Sequence, residues 1–346
     1  MKKLLTKLVI LVAVATVGFV GGQQAVVAAD ELIVYTNSGS GGRDVWITEY
    51  AAEHGFKIQI VEAGGGDTAN RLIAEKNNPI ADVVFGLSIL YYEDFKTKDM
   101  LVQYVPVWAD EVDSTMRDAE GYYHGIVKQA IVLVYNPEVY TEETAPKDWP
   151  DLWKNPEYHG KYSAFGLGGG TSRVVLSGIA MRYLDPEGEL GISEEGWTEI
   201  AQYVKNAYWL PEGGEYIQNL IDQKVPMTML WGSGVIAKQK DYDFAFGLMT
   251  PEIGVPYVVE QVAIINGTKN LETAKAFVDW FGTSEVQAAW GQKFGSSPAN
   301  KIAMKSALDE TQALDALLSK SQKIDWAIVQ KYIELWVEKI QLEYME

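Results

Sequence analysis

Short apolar runs alternate with amphipathic stretches along most of this chain. Glu31 to Tyr35 (ELIVY) reads as a strand, Thr36 to Gly42 (TNSGSGG) as a turn, and Arg43 to His54 as a helix with Trp46, Ile47, Tyr50 and Ala51 at helical spacing. Phe56 to Val61 is a second strand, Glu62 to Asp67 (EAGGGD) a second glycine-rich turn, and Thr68 to Lys76 a second helix that turns Leu72 and Ile73 inward. Asp82 to Phe85 predicts a third strand, with Gly86-Leu87-Ser88 as a third turn. This repetition predicts an α/β fold on a parallel sheet. Ligands of such sheets sit beyond the carboxyl ends of the strands, where the three turns lie.

A second block starts near Ile126. Val127 to Tyr135 (VKQAIVLVY) is a long apolar strand. Tyr162 to Phe165 is another, followed by Gly166 to Arg173 (GLGGGTSR) and a helical pattern from Val174 to Tyr183. Val225 to Leu230 runs into Trp231-Gly232-Ser233-Gly234 and a helix from Val235. Val258 to Ile265 is apolar again and precedes a helix from Leu271 to Phe281; after Ile302 the chain is mostly helical. No low-complexity linker separates the blocks. They are therefore expected to form discontinuous lobes joined by strands crossing near residues 126–134 and 246–262. The expected division is 30–127 with 254–300 in one lobe, and 128–253 with 301–346 in the other.

The N-terminus changes the picture of where the chain works. Lys2, Lys3 and Lys7 precede a run from Leu8 to Val20 with no charge and almost no polar side chain, and then small residues to Ala29, the order of a secretory signal peptide. The run is too short to span a bilayer comfortably. Cleavage is expected after Ala29, making 1–29 a leader and placing the mature chain in a periplasm. That discounts nucleotide-driven enzymes and gene regulation. Charge points the same way: 29 Lys and Arg against 47 Asp and Glu leave a formal net charge of −18, which argues against nucleic acid and anionic membranes as partners. With no cysteine there is no disulfide, thiolate metal site, cysteine nucleophile or lipid-bearing cysteine. A freely diffusing monomer is expected.

Glycine-rich turns ahead of helices carry the candidate chemistry. A helix start leaves free N–H donors and a partial positive charge, and glycine lets a ligand approach them, so together they suit an anion. Three segments have this form. The first holds Ser38, Gly39, Ser40 and Gly41; the second Gly65, Gly66, Asp67 and Thr68; the third Gly169, Gly170, Thr171 and Ser172, with Arg173 adjoining. The third is the best phosphate or carboxylate cradle, although each also fits a plain βα turn with an N-cap. Ser88 ends the third predicted turn. Trp231 is placed to wall an organic ligand and Ser233 to donate a hydrogen bond. Tyr257 and Glu260 stand at the second crossing, where Glu260 suits either a cationic group on a solute or a hinge hydrogen bond. Arg43 and Arg71 suit an anion or ordinary surface ion pairs. Tyr91-Tyr92 and Tyr122-Tyr123, near Glu93 and Glu120, have the donor type of a hard-metal site, with packing as their ordinary fate. There is no Walker A loop, Gly-x-Ser-x-Gly elbow or His-Glu-x-x-His motif, and only three histidines. A secreted hydrolase is thus a minor alternative, and no cofactor or metal is expected.

Four stretches carry a family likeness: Asn78 to Gly86 (NPIADVVFG), Trp149 to Lys161 (WPDLWKNPEYHGK), Asn266 to Gln287 (NGTKNLETAKAFVDWFGTSEVQ), and Ile324-Asp325-Trp326 with Trp336. Together the chain resembles bacterial periplasmic solute-binding proteins of ABC importers, in the branch of ferric-ion, thiamine, aminoethylphosphonate and sugar-phosphate binders. The resemblance implies a type II periplasmic binding protein fold. Two α/β lobes, hinged at crossing strands, would close over one small solute and dock on an ABC permease of the inner membrane, without catalysis. Where ferric binders carry an adjacent tyrosine pair, this chain has Trp231, Gly232 and Ser233, which argues for an organic ligand. The favoured solute is a small phosphorylated or phosphonate-type organic anion. A cationic or zwitterionic solute such as thiamine, and ferric iron, are the alternatives.

Overall fold

The computed structural model describes residues 31–345 apart from residue 212, so the expected leader lies outside the described residues. The first third alternates strand and helix: β1 (Leu32–Thr36), α1 (Arg43–Glu53), β2 (Ile58–Glu62), α2 (Gly65–Glu75), β3 (Val83–Ser88) and α3 (Ile89–Thr97). The middle holds β4 (His124–Tyr135), α4 (Asp151–Lys154), β5 (Tyr162–Ala164), α5 (Gly170–Ala180), β6 (Leu184–Glu189) and α6 (Glu194–Asn206). It continues through β7 (Tyr208–Trp209), α7 (Tyr216–Ile221), β8 (Met227–Trp231), α8 (Gly232–Tyr242) and β9 (Gly247–Leu248). The chain then passes through β10 (Tyr257–Ile264), α9 (Leu271–Phe281), α10 (Ser284–Phe294) and β11 (Ser297–Pro298). It ends in α11 (Lys301–Met304), α12 (Asp309–Leu317) and α13 (Trp326–Glu343).

One sheet runs β2-β1-β3-β10-β4-β8-β5-β7, with β9 and β11 also paired to β4. Its two wings are parallel: β1 with β2 and β3, and β5 with β7 and β8. Its centre is antiparallel, since β10 opposes both β3 and β4, and β4 opposes β8. The sheet is therefore mixed, not wholly parallel as the alternation predicts. The reason is topological: a chain that crosses the middle and comes back must return antiparallel. The long strand β4 carries the first crossing. Its first part, to Ala130, pairs with β10, and from Ile131 onward it pairs with β8.

Among the described residues, four apolar clusters pack against the sheet, and the two largest lie on either side of that centre. One gathers Leu32, Ile47, Phe85, Phe277, Phe281 and Trp290. The other gathers Leu133, Trp149, Tyr162, Leu176, Trp197 and Trp336. Fully buried side chains such as Phe277 and Phe281 contribute roughly 1.5–3 kcal/mol each through apolar burial.

Several helices begin earlier than hydrophobic periodicity predicts: α2 at Gly65, α5 at Gly170 and α8 at Gly232. Gly65, Gly66, Gly170, Gly232 and Gly234, read as turn, belong to first helical turns. Little is lost there, because the first N–H groups of a helix have no intrahelical partner in any case. Gly86-Leu87-Ser88 is a second correction, being the end of β3 and not a turn. The pairing register slips opposite it, between Glu260 and Val262, so the segment bulges while staying in the sheet. Gly86 sits at φ 98°, and a Cβ there would lie 2.6 Å from the Ser38 hydroxyl.

The start of α11 supplies a stability test. Asn300 is buried, accepts from the N–H groups of Ile302 and Ala303 at 2.9 and 3.2 Å, and donates to Glu111 at 2.6 Å and to the Gly282 carbonyl at 3.2 Å. Losing this cap and leaving its partners unsatisfied is expected to make Asn300→Ala about 2 kcal/mol less stable. A urea midpoint equal to that of the parent protein would show that the site relaxes at no cost.

Candidate functional site

A cavity of about 850 Å³ opens between the two cores. Its volume falls in the range of small-ligand sites, and β4 and β10 supply its floor through Gln129, Ile131, Val258 and Glu260. One wall is built from Asn37, Ser38, Ser40 and Arg43 before and at the start of α1, Gly64 to Asp67 at α2, and Ser88, Leu90 and Tyr91 at α3. The opposite wall holds Gly168 to Thr171 with Arg173 at α5, and Trp231 with Ser233 at α8. The C-terminal helix α13 adds Gln330, Ile333 and Glu334.

Five helices thus open onto one space, and none has a side-chain cap; the N-cap residues are Gly42, Gly64, Ser88, Gly169 and Trp231. Among the described residues, the α-helices that do carry a side-chain cap are α6, α10, α11 and α13, and all of them begin away from the cavity. At α2 and α5 the glycine N–H groups of the first turn are therefore left to water or to a guest, whereas at α1 and α8 the N–H groups of Asp44 and Ser233 are taken by the Gly39 carbonyl and the Gln129 side chain.

Most of the residues singled out from the sequence meet here. Ser38, Ser40, Gly65, Gly66, Asp67 and Ser88 line one wall, and Gly169, Gly170, Thr171, Arg173, Trp231 and Ser233 the other, over Glu260. Five lie outside the lining. Gly39 packs towards Glu62 and Asp44, and Gly41 forms the turn behind it at φ 68°. Thr68 is buried and its hydroxyl donates to the Ala63 carbonyl. Ser172 is buried and donates to the Phe165 carbonyl at 3.1 Å. Tyr257 points away, because Val258 and Glu260 line the floor and strand side chains alternate in direction. Arg71 pairs with Glu75 at 2.9 Å and lies over the Tyr35 ring. Tyr92 is buried and donates to Val84 and Gln261 carbonyls, and Tyr123 donates to Glu93. Among the described residues, no cluster of three or more His, Asp or Glu side chains could hold a metal ion. The sequence reading missed Asn37, Gln129, Gln330 and Glu334. The last two come from the far end of the chain and carry no local signal of their placement.

The floor is a hydrogen-bonded chain that joins both walls. Ser38 donates to one Glu260 carboxylate oxygen at 2.9 Å, and Gln129 donates to the other at 3.0 Å. The Gln129 amide also donates to the Ser233 hydroxyl at 3.2 Å and accepts from the Ser233 N–H at 3.3 Å. Burial pushes the Glu260 carboxyl above the ordinary glutamate range, opposed by the Gln129 and Ser38 hydrogen bonds and the Arg43 charge. Burial likewise lowers the Arg43 guanidinium, opposed by Glu260 and Glu62. Arg43 donates to the Ser40 carbonyl at 2.9 Å and stacks over Phe294.

Charge in the lining is divided between paired and unpaired groups. Arg173 is held bidentately by Glu334, at 2.5 and 3.0 Å, and Asp94 is paired with Lys98. Asp67 stands in the first turn of α2, where its charge complements the helix start. Among the described residues, Arg43 and Glu260 have no ion-pair partner, and their charges are opposite.

The sequence pattern of the bacterial extracellular solute-binding protein family matches residues 46–316. A probable ABC transporter periplasmic-binding protein, y4fP, of Sinorhizobium fredii is 35% identical over 331 residues, covering 96% of this chain and 91% of that protein. A putative 2-aminoethylphosphonate-binding periplasmic protein of Salmonella typhi is 31% identical over 98 residues, 28% of this chain and 27% of that one. In fold, the chain matches iron-bound HitA of Pseudomonas aeruginosa with a TM-score of 0.75 over 89% of this chain and 98% of that one, at 18% identity. That architecture is the type II periplasmic binding protein fold. No helix among the described residues is long and apolar enough to cross a membrane. Two cores joined by crossing strands around a guest-sized cavity, and a family match over most of the length, lead to one conclusion: the chain belongs to the bacterial extracellular solute-binding proteins, the periplasmic components that serve ABC importers.

Proposed function

We propose that this protein captures a small zwitterionic organic solute, acidic at one end and cationic at the other, and hands it unchanged to its permease. One observation carries the reading: Arg43 and Glu260 line the same cavity, with opposite charges and no ion-pair partner. Partly desolvated charges are costly when left alone, so a site that keeps both is completed by a guest that brings the complementary pair. The uncapped helix starts add N–H donors for a phosphonate or carboxylate, and Trp231 and Tyr91 offer apolar walls for a short chain. This narrows the anion expected from the sequence. Besides its two guanidiniums, the lining carries the carboxylates Asp67, Asp94, Glu260 and Glu334, which a purely anionic solute would have to face. The Salmonella relative is named for 2-aminoethylphosphonate, a compound with both ends.

No turnover is proposed. The Ser38 hydroxyl donates to Glu260 and the Ser233 hydroxyl accepts from Gln129, and among the described residues no histidine lines the cavity. We read residues 1–29 as a secretory leader, the mature chain as a monomer that binds no nucleic acid, and 30–127 with 254–300 as closing on 128–253 with 301–346 about β4 and the segment before β10.

A thermal-shift screen of 2-aminoethylphosphonate, γ-aminobutyrate, glycerol 3-phosphate, thiamine and ferric citrate tests this. A zwitterion at about 100 times its dissociation constant should add roughly 2.7 kcal/mol of stability. Small-angle scattering should show a smaller radius of gyration with it than without. A response confined to ferric citrate or to the phosphate ester would overturn the reading.

A further inference from the structure

We propose that Glu334 is a specificity-determining residue, a built-in carboxylate that occupies Arg173 in place of a solute's anionic group. The pair has the geometry of ligand recognition. Arg173 Nη1 and Nη2 donate in parallel to the two Glu334 carboxylate oxygens at 2.5 and 3.0 Å, while Nε is anchored on the Leu167 carbonyl at 3.1 Å. That two-pronged fork is how an arginine holds a carboxylate or phosphate brought in from outside.

The two partners differ sharply in setting. The Arg173 side chain is 16% exposed, whereas that of Glu334 is 71% exposed. Arg173 belongs to the first turn of α5, beside the bare Gly169 and Gly170 amides, and Glu334 arrives from α13. So the cation is held in the wall, and the anion is an exposed side chain reaching over it from the solvent side. Ion pairs that exposed on one side contribute little to stability. Their effect on a neighbouring guest is larger. With Glu334 in place the α5 start offers no net positive charge, and a second anionic group entering the cavity meets a carboxylate already seated. Arg43 is then the one cation in the lining without an ion-pair partner among the described residues. The cavity is thereby tuned to accept one anionic group and to disfavour polyanions.

This assignment rests on the cavity being the solute site, and its test does not need the natural solute. Inorganic phosphate is titrated into the parent protein, Glu334→Gln and Glu334→Ala, followed by calorimetry at low salt. Removing a like charge beside the guanidinium should tighten phosphate at least about tenfold in both variants. Adding Arg173→Gln to Glu334→Gln should abolish the gain. Equal phosphate affinity in the parent and both variants, or a gain that survives without Arg173, would overturn the proposal. Failure of the zwitterion reading would show separately, as parent protein that ignores zwitterions in the thermal-shift screen.

Discussion

Glu260→Gln is expected to weaken zwitterion binding at least tenfold and at the same time to raise the melting temperature of the unliganded protein. The two effects have opposite signs for one reason. Glu260 accepts hydrogen bonds from Ser38 and Gln129, and both partners are neutral, so its charge is solvated in the empty protein without being paired. Glutamine keeps the shape and removes the charge. Because burial outweighs those hydrogen bonds and the Arg43 charge, removing the ion is expected to stabilise the empty protein by about 1 kcal/mol. In the complex, a hydrogen bond to a charged group contributes about 1.5–3 kcal/mol, and its loss accounts for the fall in affinity.

Acid should act like the substitution. The Glu260 carboxyl binds its proton at a higher pH in the folded chain than in the unfolded one, because burial disfavours the ion. The folded state therefore takes up the extra proton, and the destabilisation by this ion is present above the folded pKa and is relieved as pH falls through it. Solute affinity should move the other way, falling through the same window, which lies above the ordinary glutamate range. In Glu260→Gln that dependence should be flat. A variant that binds zwitterions as tightly as the parent, at every pH, would remove Glu260 from recognition.

Gly254→Ala is expected to cost about 3 kcal/mol of stability. Gly254 lies in the segment that crosses back between the halves, at φ 97°, and an added Cβ would sit 2.0 Å from the Lys320 carbonyl oxygen. The contact is with backbone that is itself held, since Val255 donates to that same carbonyl and Gln322 donates back to Val255. Positive φ costs an L-residue roughly 1–2 kcal/mol, and forcing atoms into a packed site typically adds 1–3 kcal/mol. Gly160→Ala is the matched control. It has φ 70° but nothing within 4 Å of the added carbon, so only the conformational part applies. Equal unfolding midpoints for the two variants would show that the backbone at Lys320 moves aside freely.

How much of this was legible beforehand differs between fold and site. The alternation of apolar runs with helical spacing located β1, β2, β5, α1 and α9 within a residue or two, because core burial demands those periods wherever the chain sits. It also marked the glycine clusters at α2 and α5 that open onto the cavity. It misplaced their boundaries, since glycine in a first helical turn looks like loop until the hydrogen bonds are seen. It read Gly86 to Ser88 as a turn because a bulge and a turn share the same residue types.

The lining was less accessible. From residue types alone, Arg173 was the natural anchor for an anion, and Arg43 suited either an anion or an ordinary surface ion pair. The fold reverses that, because Glu334 lies 161 positions away from Arg173 and still neutralises it, while Arg43 has no ion-pair partner among the described residues. By itself the sequence determined which segments become strands and helices, and where backbone amides are left bare, since both follow from local spacing and conformational preference. Only the tertiary structure decided which charges cancel and which face the cavity, because an ion pair depends on separation in space and on exclusion of water, and neither is written in the order of the residues.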